Sequence, residues 1–263
     1  MQIFIIHNLL LLKKLLKIHN SSTIIHINIS KTKISIQSHN CTTTTFQNNH
    51  FIANFETAFA IFYKDLMIML NMFDTGYFVV ADGLIFINES FNMETVTPKT
   101  IEKIFQQKYM EINPSAYIVQ LDRPFICEQS SNYISIPFCN HNEAINYQVA
   151  GDSIAEFILR KEMLNYFPRG NSKFSIGKNL TVSQTNDVLN EQIRIPIEIL
   201  KSNRYSFTCD TSWARCMQSV YKMLDFIFIQ AFENETVVKA TIVNEKNVFL
   251  QFVVRHVNQD LLF

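Results

Sequence analysis

The most informative segments of this chain read YQVAGDSI at residues 147–154 and NYFPRGNSKFSIGKNL at residues 165–180. They contain three of the chain's five glycines, each beside a run in which apolar and polar residues alternate: Gly151, Gly170 and Gly177. Glycine adopts positive φ angles without a Cβ clash, so these positions predict chain reversals between strands. The residues after Gly170 alternate as in a half-buried strand. We expect Gly177 to form a bulge or to have a positive φ within that strand.

Two hairpins are predicted on either side of these segments. Asp82-Gly83 lies between two β-rich apolar runs and predicts a hairpin over residues 77–87. Residues 244–247 lie between two further alternating runs, at 236–243 and 248–257, and predict the second hairpin.

The clearest alternating run is Ile193–Ile199, in which every second residue is isoleucine. Pro196 interrupts it and cannot donate a ladder hydrogen bond, so we expect a sheet edge or a bulge there. Residues 117–121 and 134–138 also alternate. Many short strands with one or two short helices predict a mainly β protein with β-sandwich-like domains.

In three segments the spacing of apolar residues either predicts a helix or fits a helix as well as a strand. Residues 55–73 predict either a buried helix or a pair of strands. Residues 98–112, which begin at a proline, predict an amphipathic helix lying on a sheet. Residues 213–226 fit a short helix or another strand, and periodicity alone does not decide between them.

The first fifty residues differ from the rest in composition. The initial apolar run precedes Lys13-Lys14 instead of following positive residues, so it is an atypical secretory leader. It is also too short and too interrupted to span a bilayer. We therefore expect three parts: a weakly ordered segment at 1–50, a β-rich first half at 51–140, and a β-sandwich-like domain at 141–263.

Composition restricts the class of function. The chain has 263 residues, 48% of them hydrophobic, and 23 phenylalanines, which is ample material for a core. Its formal net charge is zero, and a protein that binds nucleic acid normally carries a basic excess or patch. Nucleic-acid binding is therefore not expected. No glycine-rich phosphate-binding motif is present either.

The order of the central motifs resembles the C-terminal domain of the tectonic family. These motifs are Y-x-x-x-G-D-x-I at 147–154, F-P-x-G at 167–170 and I-G-K-x-L at 176–180. The family has a GDPI-like turn, then a Pro/Gly turn, then a strand with the pattern Y-x-x-G-x-P-L. The similarity is best from Tyr147 to Cys216 and weaker back to Gly76.

The resemblance implies a non-enzymatic protein of the ciliary transition zone that reaches its place by the secretory route. It implies other proteins of that zone as partners and leaves membrane association open. Ser153 and Asn179 stand where the family has prolines, and the family's cysteine-dense block is missing. A truncated or divergent member would fit both departures, and so would an unrelated β protein with similar turns.

Cysteines and asparagines are the candidate modification sites. If the chain is extracellular, the local pairs Cys209–Cys216 and Cys127–Cys139 are the economical disulfides, with Cys41 left over. Buried free cysteines in a reducing compartment remain the alternative. Six Asn-x-Ser/Thr sequons occur, and the credible glycosylation acceptors are Asn88, Asn179 and Asn234.

No catalytic or metal-binding motif is present in the sequence. It lacks H-E-x-x-H, G-x-S-x-G and zinc-type cysteine pairs, so we expect no cofactor and no enzyme activity. Asp152 follows Gly151, a combination that is far more often structural than catalytic. Two alternatives stay open: a secreted or lumenal β-sandwich enzyme with dispersed catalytic residues, and an extracellular binding module without a ciliary role.

Overall fold

The computed structural model describes residues 2–38, 42–47, 50–53, 55–72, 74–80, 83–87, 117–120, 126–129, 133–137, 149, 151–185, 190–201 and 204–257. The protein is mainly β, with few and short helices, as the sequence predicted. It divides into two compact units. Unit 1 comprises residues 1–40 and 44–145, and unit 2 comprises residues 41–43 and 146–263.

Unit 1 contains a long antiparallel sheet and a second group of strands. The strands are β1 (Gln2–Ile6), β2 (Ile24–Ile29), β3 (Lys33–Ser38), β4 (Thr42–Gln47), β5 (Phe51–Ala53), β6 (Thr57–Phe62), β7 (Tyr77–Val80), β8 (Gly83–Ile87), β9 (Tyr117–Gln120), β10 (Ile126–Gln129) and β11 (Tyr133–Pro137). The long sheet has the order β5-β1-β7-β8-β11-β10-β9, and β2 lies between β3 and β6. The helices among its described residues are α1 (Leu9–Leu15), which continues as a 3₁₀ helix (Leu16–His19), and α2 (Tyr63–Met72).

The N-terminal segment is more structured than its sequence indicated. The prediction of a weakly ordered segment at 1–50 does not fit β1 to β4 and α1, which occupy most of these residues. Asn8 caps α1 through its side chain, which accepts a hydrogen bond from the backbone N–H of Leu11 at 2.9 Å. Leu15 and Leu16 are fully buried. The missed signal is the alternation of isoleucines along β2 and β3, which lies in a polar background.

Polar side chains are part of the core of unit 1. The buried positions in β2 and β3 therefore do not follow a simple alternation of apolar and polar residues. His19 is fully buried between two hydroxyl groups, with its Nδ1 3.0 Å from Ser38 Oγ and its Nε2 2.9 Å from Thr44 Oγ1. Both hydroxyls belong to residues that are themselves fully buried. Burial lowers the pKa of His19 from 6.5 to about 3, so the ring is neutral at physiological pH.

The other predictions for unit 1 have mixed outcomes. The hairpin over residues 77–87 is confirmed by antiparallel pairing of β7 with β8. Residues 55–73 form neither a single helix nor two strands, since β6 leads directly into α2. Strands at 117–121 and 134–138 are confirmed as β9 and β11. The amphipathic helix at 98–112 lies outside the described residues.

Unit 2 is a β-sandwich-like domain. Its strands are β12 (Ala155–Arg160), β13 (Asn171–Ile176), β14 (Leu180–Thr185), β15 (Asn190–Ile195), β16 (Glu198–Lys201), β17 (Tyr205–Asp210), β18 (Leu224–Ala231), β19 (Glu235–Ile242) and β20 (Glu245–Arg255). One helix, α3 (Ser212–Gln218), and two 3₁₀ helices, Lys161–Tyr166 and Tyr221–Met223, connect them. The segment 213–226 is thus mostly helical before β18 begins.

Two groups of antiparallel strands build this domain. β16, β12, β18, β19 and β20 lie side by side in that order, and β15-β14-β13-β17 form a separate sheet. Every second side chain in β12 and β13 is buried, including Phe157 and Phe174. This alternation gives each sheet one inner face. Burying a phenylalanine side chain contributes roughly 2–3 kcal/mol.

Pro196 marks the point where the chain leaves one sheet and joins the other. The run 193–199 is not one strand, because β15 ends at Ile195 and β16 begins at Glu198. β15 and β16 lie at the edges of different sheets, so the sheet-edge prediction for Pro196 fits its position. All four residues of β16 are exposed, and a β-bulge shifts its register against β12 between Glu156 and Phe157.

The glycines of the central segments take different conformations. Gly151 and Gly170 have φ angles of 91° and 90°, which confirms them as turn positions. The prediction for Gly177 is wrong. This glycine lies in the loop between β13 and β14, has no positive φ, and has room for a Cβ atom, whose nearest neighbour is Asn179 O at 3.8 Å. The hairpin of β19 and β20 is confirmed, but it turns at Val243-Asn244, with Asn244 at a φ of 64°.

Candidate functional site

The F-P-x-G motif forms a firmly held turn in unit 2. Thr211 holds it from the start of α3, because its hydroxyl donates to Pro168 O at 2.6 Å and lies 2.9 Å from Gly170 O. On the other side, the amide of Gln184 donates to Arg169 O at 2.6 Å. The backbone of this turn is therefore fixed at three consecutive carbonyl groups, while the Arg169 side chain is left exposed.

Helix α3 packs against the same segment. Gln218, in its last turn, donates to Leu164 O at 2.9 Å. Trp213, in its first turn, is buried and meets the ring of Phe167 edge-on, with 5.1 Å between ring centroids. These contacts set the position of α3 relative to the turn from both of its ends.

A cleft of about 230 Å³ lies between α3 and the turn. Its apolar lining includes Leu164 and Ala214, which are buried, and Phe167, which is half-buried. Two exposed arginines, Arg169 and Arg215, also line it. The remaining lining residues are Asn165, Pro168, Thr211 and Gln218. The volume is below the range of roughly 300–1,000 Å³ that is usual for drug-sized ligands.

The cleft carries positive charge and no compensating carboxylate. No Asp or Glu lines it, and the described residues show no ion pair for Arg169 or Arg215. The carboxylate nearest in sequence to α3, Asp210, accepts a hydrogen bond from the backbone N–H of Ser212 at 3.1 Å. Guanidinium groups bind carboxylate or phosphate oxygens through charge-assisted hydrogen bonds. The arrangement can therefore bind an anion beside the half-buried ring of Phe167.

Sequence reasoning did not single out either arginine. The turn motif was recognised, and a solvent-facing residue between Pro168 and Gly170 is a signal that could have identified Arg169. Arg215 carries no such signal, because its place beside Arg169 depends on how α3 docks. That docking is made by side-chain contacts that have no local sequence pattern.

A chain of ring contacts runs from β13 across β17 to His256. Phe174 stacks on Phe207 at 5.1 Å, and Phe207 stacks on His256 at 4.4 Å. His256 Nδ1 lies 3.1 Å from Glu233 O, and its Nε2 lies 2.8 Å from Thr236 Oγ1. Burial lowers the pKa of His256, and its hydrogen bond to the backbone opposes that shift. The ring therefore supports the turn between β18 and β19.

A polar cluster near the Gly-Asp turn has some of the groups of a catalytic site but not their arrangement. The Ser153 hydroxyl donates to the Glu156 carboxylate, and Lys201 Nζ lies 3.5 Å from Ser153 Oγ. Hydrogen bonds from Ser153 and Gln230 lower the pKa of Glu156, which makes it a weak base. Asp152 is exposed. The cluster connects β12 to its neighbours β16 and β18.

The thiols predicted to form one disulfide are both free. Cys209 is 1% exposed on β17, and Cys216 is half-buried on α3. The predicted bridge is not formed, because α3 turns Trp213, Ala214 and Met217 inward and leaves Cys216 on another side of the helix. Burial raises the pKa of Cys209 to about 12, with a further contribution from Asp210. Burial also raises the pKa of Cys216.

Some of the remaining predicted modification sites lie within the described residues and others do not. Cys127 lies on β10, whereas Cys139 and Asn88 fall outside the described residues. Asn179 is exposed, although it lies in the loop between β13 and β14 and not on a strand. Asn234 is exposed in the turn between β18 and β19, and its carbonyl accepts a hydrogen bond from the His256 N–H at 2.8 Å. Both of these acceptor side chains are accessible.

The described part of the chain contains neither a candidate metal site nor a candidate membrane helix. Among the described residues, no group of three or more His, Cys, Asp or Glu side chains is placed to hold a metal ion. No described helix has both the length and the apolar character needed to cross a bilayer.

Comparisons with known proteins do not assign the chain to a family. No protein-family model matches it, and no curated protein matches it.

Proposed function

We propose that this chain is a non-catalytic assembly protein that works by binding other proteins, with unit 2 as its binding part. The resemblance to tectonics over Tyr147–Cys216 supports a place in the ciliary transition zone, reached by the secretory route. The cleft adds the physical support, since it is an open site lined by two arginines for which the described part of the chain shows no carboxylate partner. It adjoins the F-P-x-G turn, which is one of the motifs that carry the resemblance.

Localisation in ciliated cells tests this proposal. The tagged full-length chain should collect at the base of the cilium, and its loss should produce defective cilia. Accumulation elsewhere, or expression confined to cells without cilia, would reduce the proposal to a binding module with no ciliary role.

Glycosylation provides an independent test of the secretory route. Asn179 and Asn234 are exposed, so both can accept a glycan if the chain enters the lumen. A mass shift that is reversed by glycosidase and reduced in Asn179→Gln and Asn234→Gln supports the route. An unmodified chain in ciliated cells, with both sequons intact, argues against it.

The enzyme alternative has one specific observation behind it, the contact of Ser153 with Glu156 and Lys201. Ser153→Ala removes the hydroxyl nucleophile of that cluster, and Ser206→Ala, at an exposed serine of β17, is the control. On our proposal, Ser153→Ala should rescue cells that lack the protein as well as the control does, provided that it folds. Failure to rescue by a folded Ser153→Ala variant would favour the enzyme.

A further inference from the structure

The size of the cleft limits what it can bind. At about 230 Å³ it is smaller than the sites of most cofactors and drug-sized ligands. An occupant must therefore be a small anion or one or two side chains of a larger partner. Its lining is mainly polar and joins a small apolar surface, from the half-buried Phe167, to two guanidinium groups.

The positions of Arg169 and Arg215 indicate which kind of occupant the cleft can bind. Arg169 and Arg215 are exposed, and Asn165 and Gln218 add further polar groups to the lining. Glu162, on the 3₁₀ helix, is exposed but does not line the cleft. An extended chain can therefore approach from solvent and place a carboxylate beside the arginines and a neighbouring aliphatic side chain on the apolar lining.

We propose that this cleft binds an acidic segment of a partner protein, in which a Glu or Asp lies next to an aliphatic residue. This inference rests on the proposed function, since it names the chemistry by which unit 2 recognises a partner. Charge complementarity carries it: Arg169 and Arg215 line the cleft, and no described carboxylate lines it or pairs with either of them. The hydrogen bonds of the turn hold the backbone of Arg169 before binding, so no backbone entropy is lost there on association.

Binding of a defined probe to the purified full chain tests the proposal. The probe is a fluorescein-labelled peptide, Gly-Ser-Glu-Leu-Glu-Ser-Gly, measured by fluorescence anisotropy beside its analogue with glutamine in place of both glutamates. Arg169→Gln and Arg215→Gln should each weaken binding of the acidic peptide by about tenfold, the size of a lost charge-assisted hydrogen bond. Higher salt should weaken it as well.

Matched controls separate the cleft from general surface charge. Arg160→Gln and Arg194→Gln remove exposed arginines of unit 2 that do not line the cleft, and neither should change the affinity more than about twofold. Melting curves of all four variants should coincide with that of the unchanged chain. Equal losses in the cleft and control variants, or equal binding of the acidic and glutamine peptides, would overturn the proposal.

Two further probes cover other sources of negative charge. Inorganic phosphate at the concentration of the peptide and vesicles that contain phosphatidylserine should bind more weakly than the acidic peptide. Arginine-dependent binding of either one in preference to the peptide would also overturn the proposal. The cellular test stays separate: a chain that reaches the ciliary base without binding the peptide refutes this inference alone, whereas peptide binding without ciliary localisation refutes only the cellular role.

Discussion

Acidification should destabilise unit 1 through His19. The pKa of this histidine is about 3 in the folded chain and 6.5 in the unfolded chain. Between these pH values the unfolded chain takes up a proton and the folded chain does not. Stability that is present above pH 6.5 is therefore lost progressively as the pH falls towards the folded pKa.

The size of the loss follows from the shift. Each pKa unit corresponds to about 1.4 kcal/mol, so the full effect, reached below the folded pKa, is about 5 kcal/mol, and at about pH 4.5 it is about 3 kcal/mol. The ring is fully buried, so solvent does not screen this term. Protonation also removes the acceptor that a neutral ring offers to one of its two hydroxyl neighbours, Ser38 and Thr44.

The assay is urea unfolding of the full chain, followed by far-UV circular dichroism at about pH 7 and about pH 4.5. His19→Gln keeps a donor and an acceptor but does not titrate, so carboxylate titrations cancel when it is compared with the unchanged chain. The unchanged chain should lose about 3 kcal/mol more than the variant between the two pH values. His256→Gln, at a half-buried ring, should give a smaller difference of the same sign. Equal pH dependence of the unchanged chain and His19→Gln would refute the reasoning.

Three further predictions follow from the segments, turns and thiols described above. Removing residues 1–49 should abolish cooperative unfolding of unit 1 in calorimetry, because it deletes buried strands and α1; a shift of only a few degrees would contradict this. Gly170→Ala should destabilise by about 1–2 kcal/mol in urea unfolding, because its φ is 90°, whereas Gly177→Ala should change stability by less than about 0.5 kcal/mol; equal effects would contradict the assignment of the two turns. In timed maleimide labelling read by mass spectrometry, Cys216 should react in the native state and Cys209 only after unfolding, because the Cys209 thiol is buried and has a pKa of about 12. Comparable labelling rates of the two thiols in the native state would show that β17 opens readily.

Local pattern predicted the fold class well because strands and turns leave signatures in the sequence. The hairpins at 77–87 and at β19–β20 followed from turn residues between apolar runs, and both formed. Gly151 and Gly170 were identified for the same reason. In each case the interaction that decides the structure lies within a few residues of the chain.

Long-range contacts account for what the sequence did not predict. The N-terminal strands were missed because His19 and threonines of β4 occupy buried positions, where hydrogen bonds between distant segments replace apolar packing. The run 193–199 alternates throughout, yet the chain changes sheets at Pro196 because the two halves pair with different partners. The cleft depends on how α3 packs against the turn, and the hydrophobic periodicity of the sequence does not predict that packing.

The change of sheet at Pro196 affects how unit 2 folds. Among the described strands β16 pairs with β12 alone, and β12 pairs on its other side with β18, although all three strands are far apart in sequence. Bringing such distant segments together costs loop-closure entropy before contacts compensate for it, so domains of this topology fold in milliseconds to seconds. The inner faces therefore stay open to other chains for longer than in a helical domain. Because β16 is short and bulged, this edge of the sheet is a poor template for pairing with another chain, which lowers the risk of aggregation during folding.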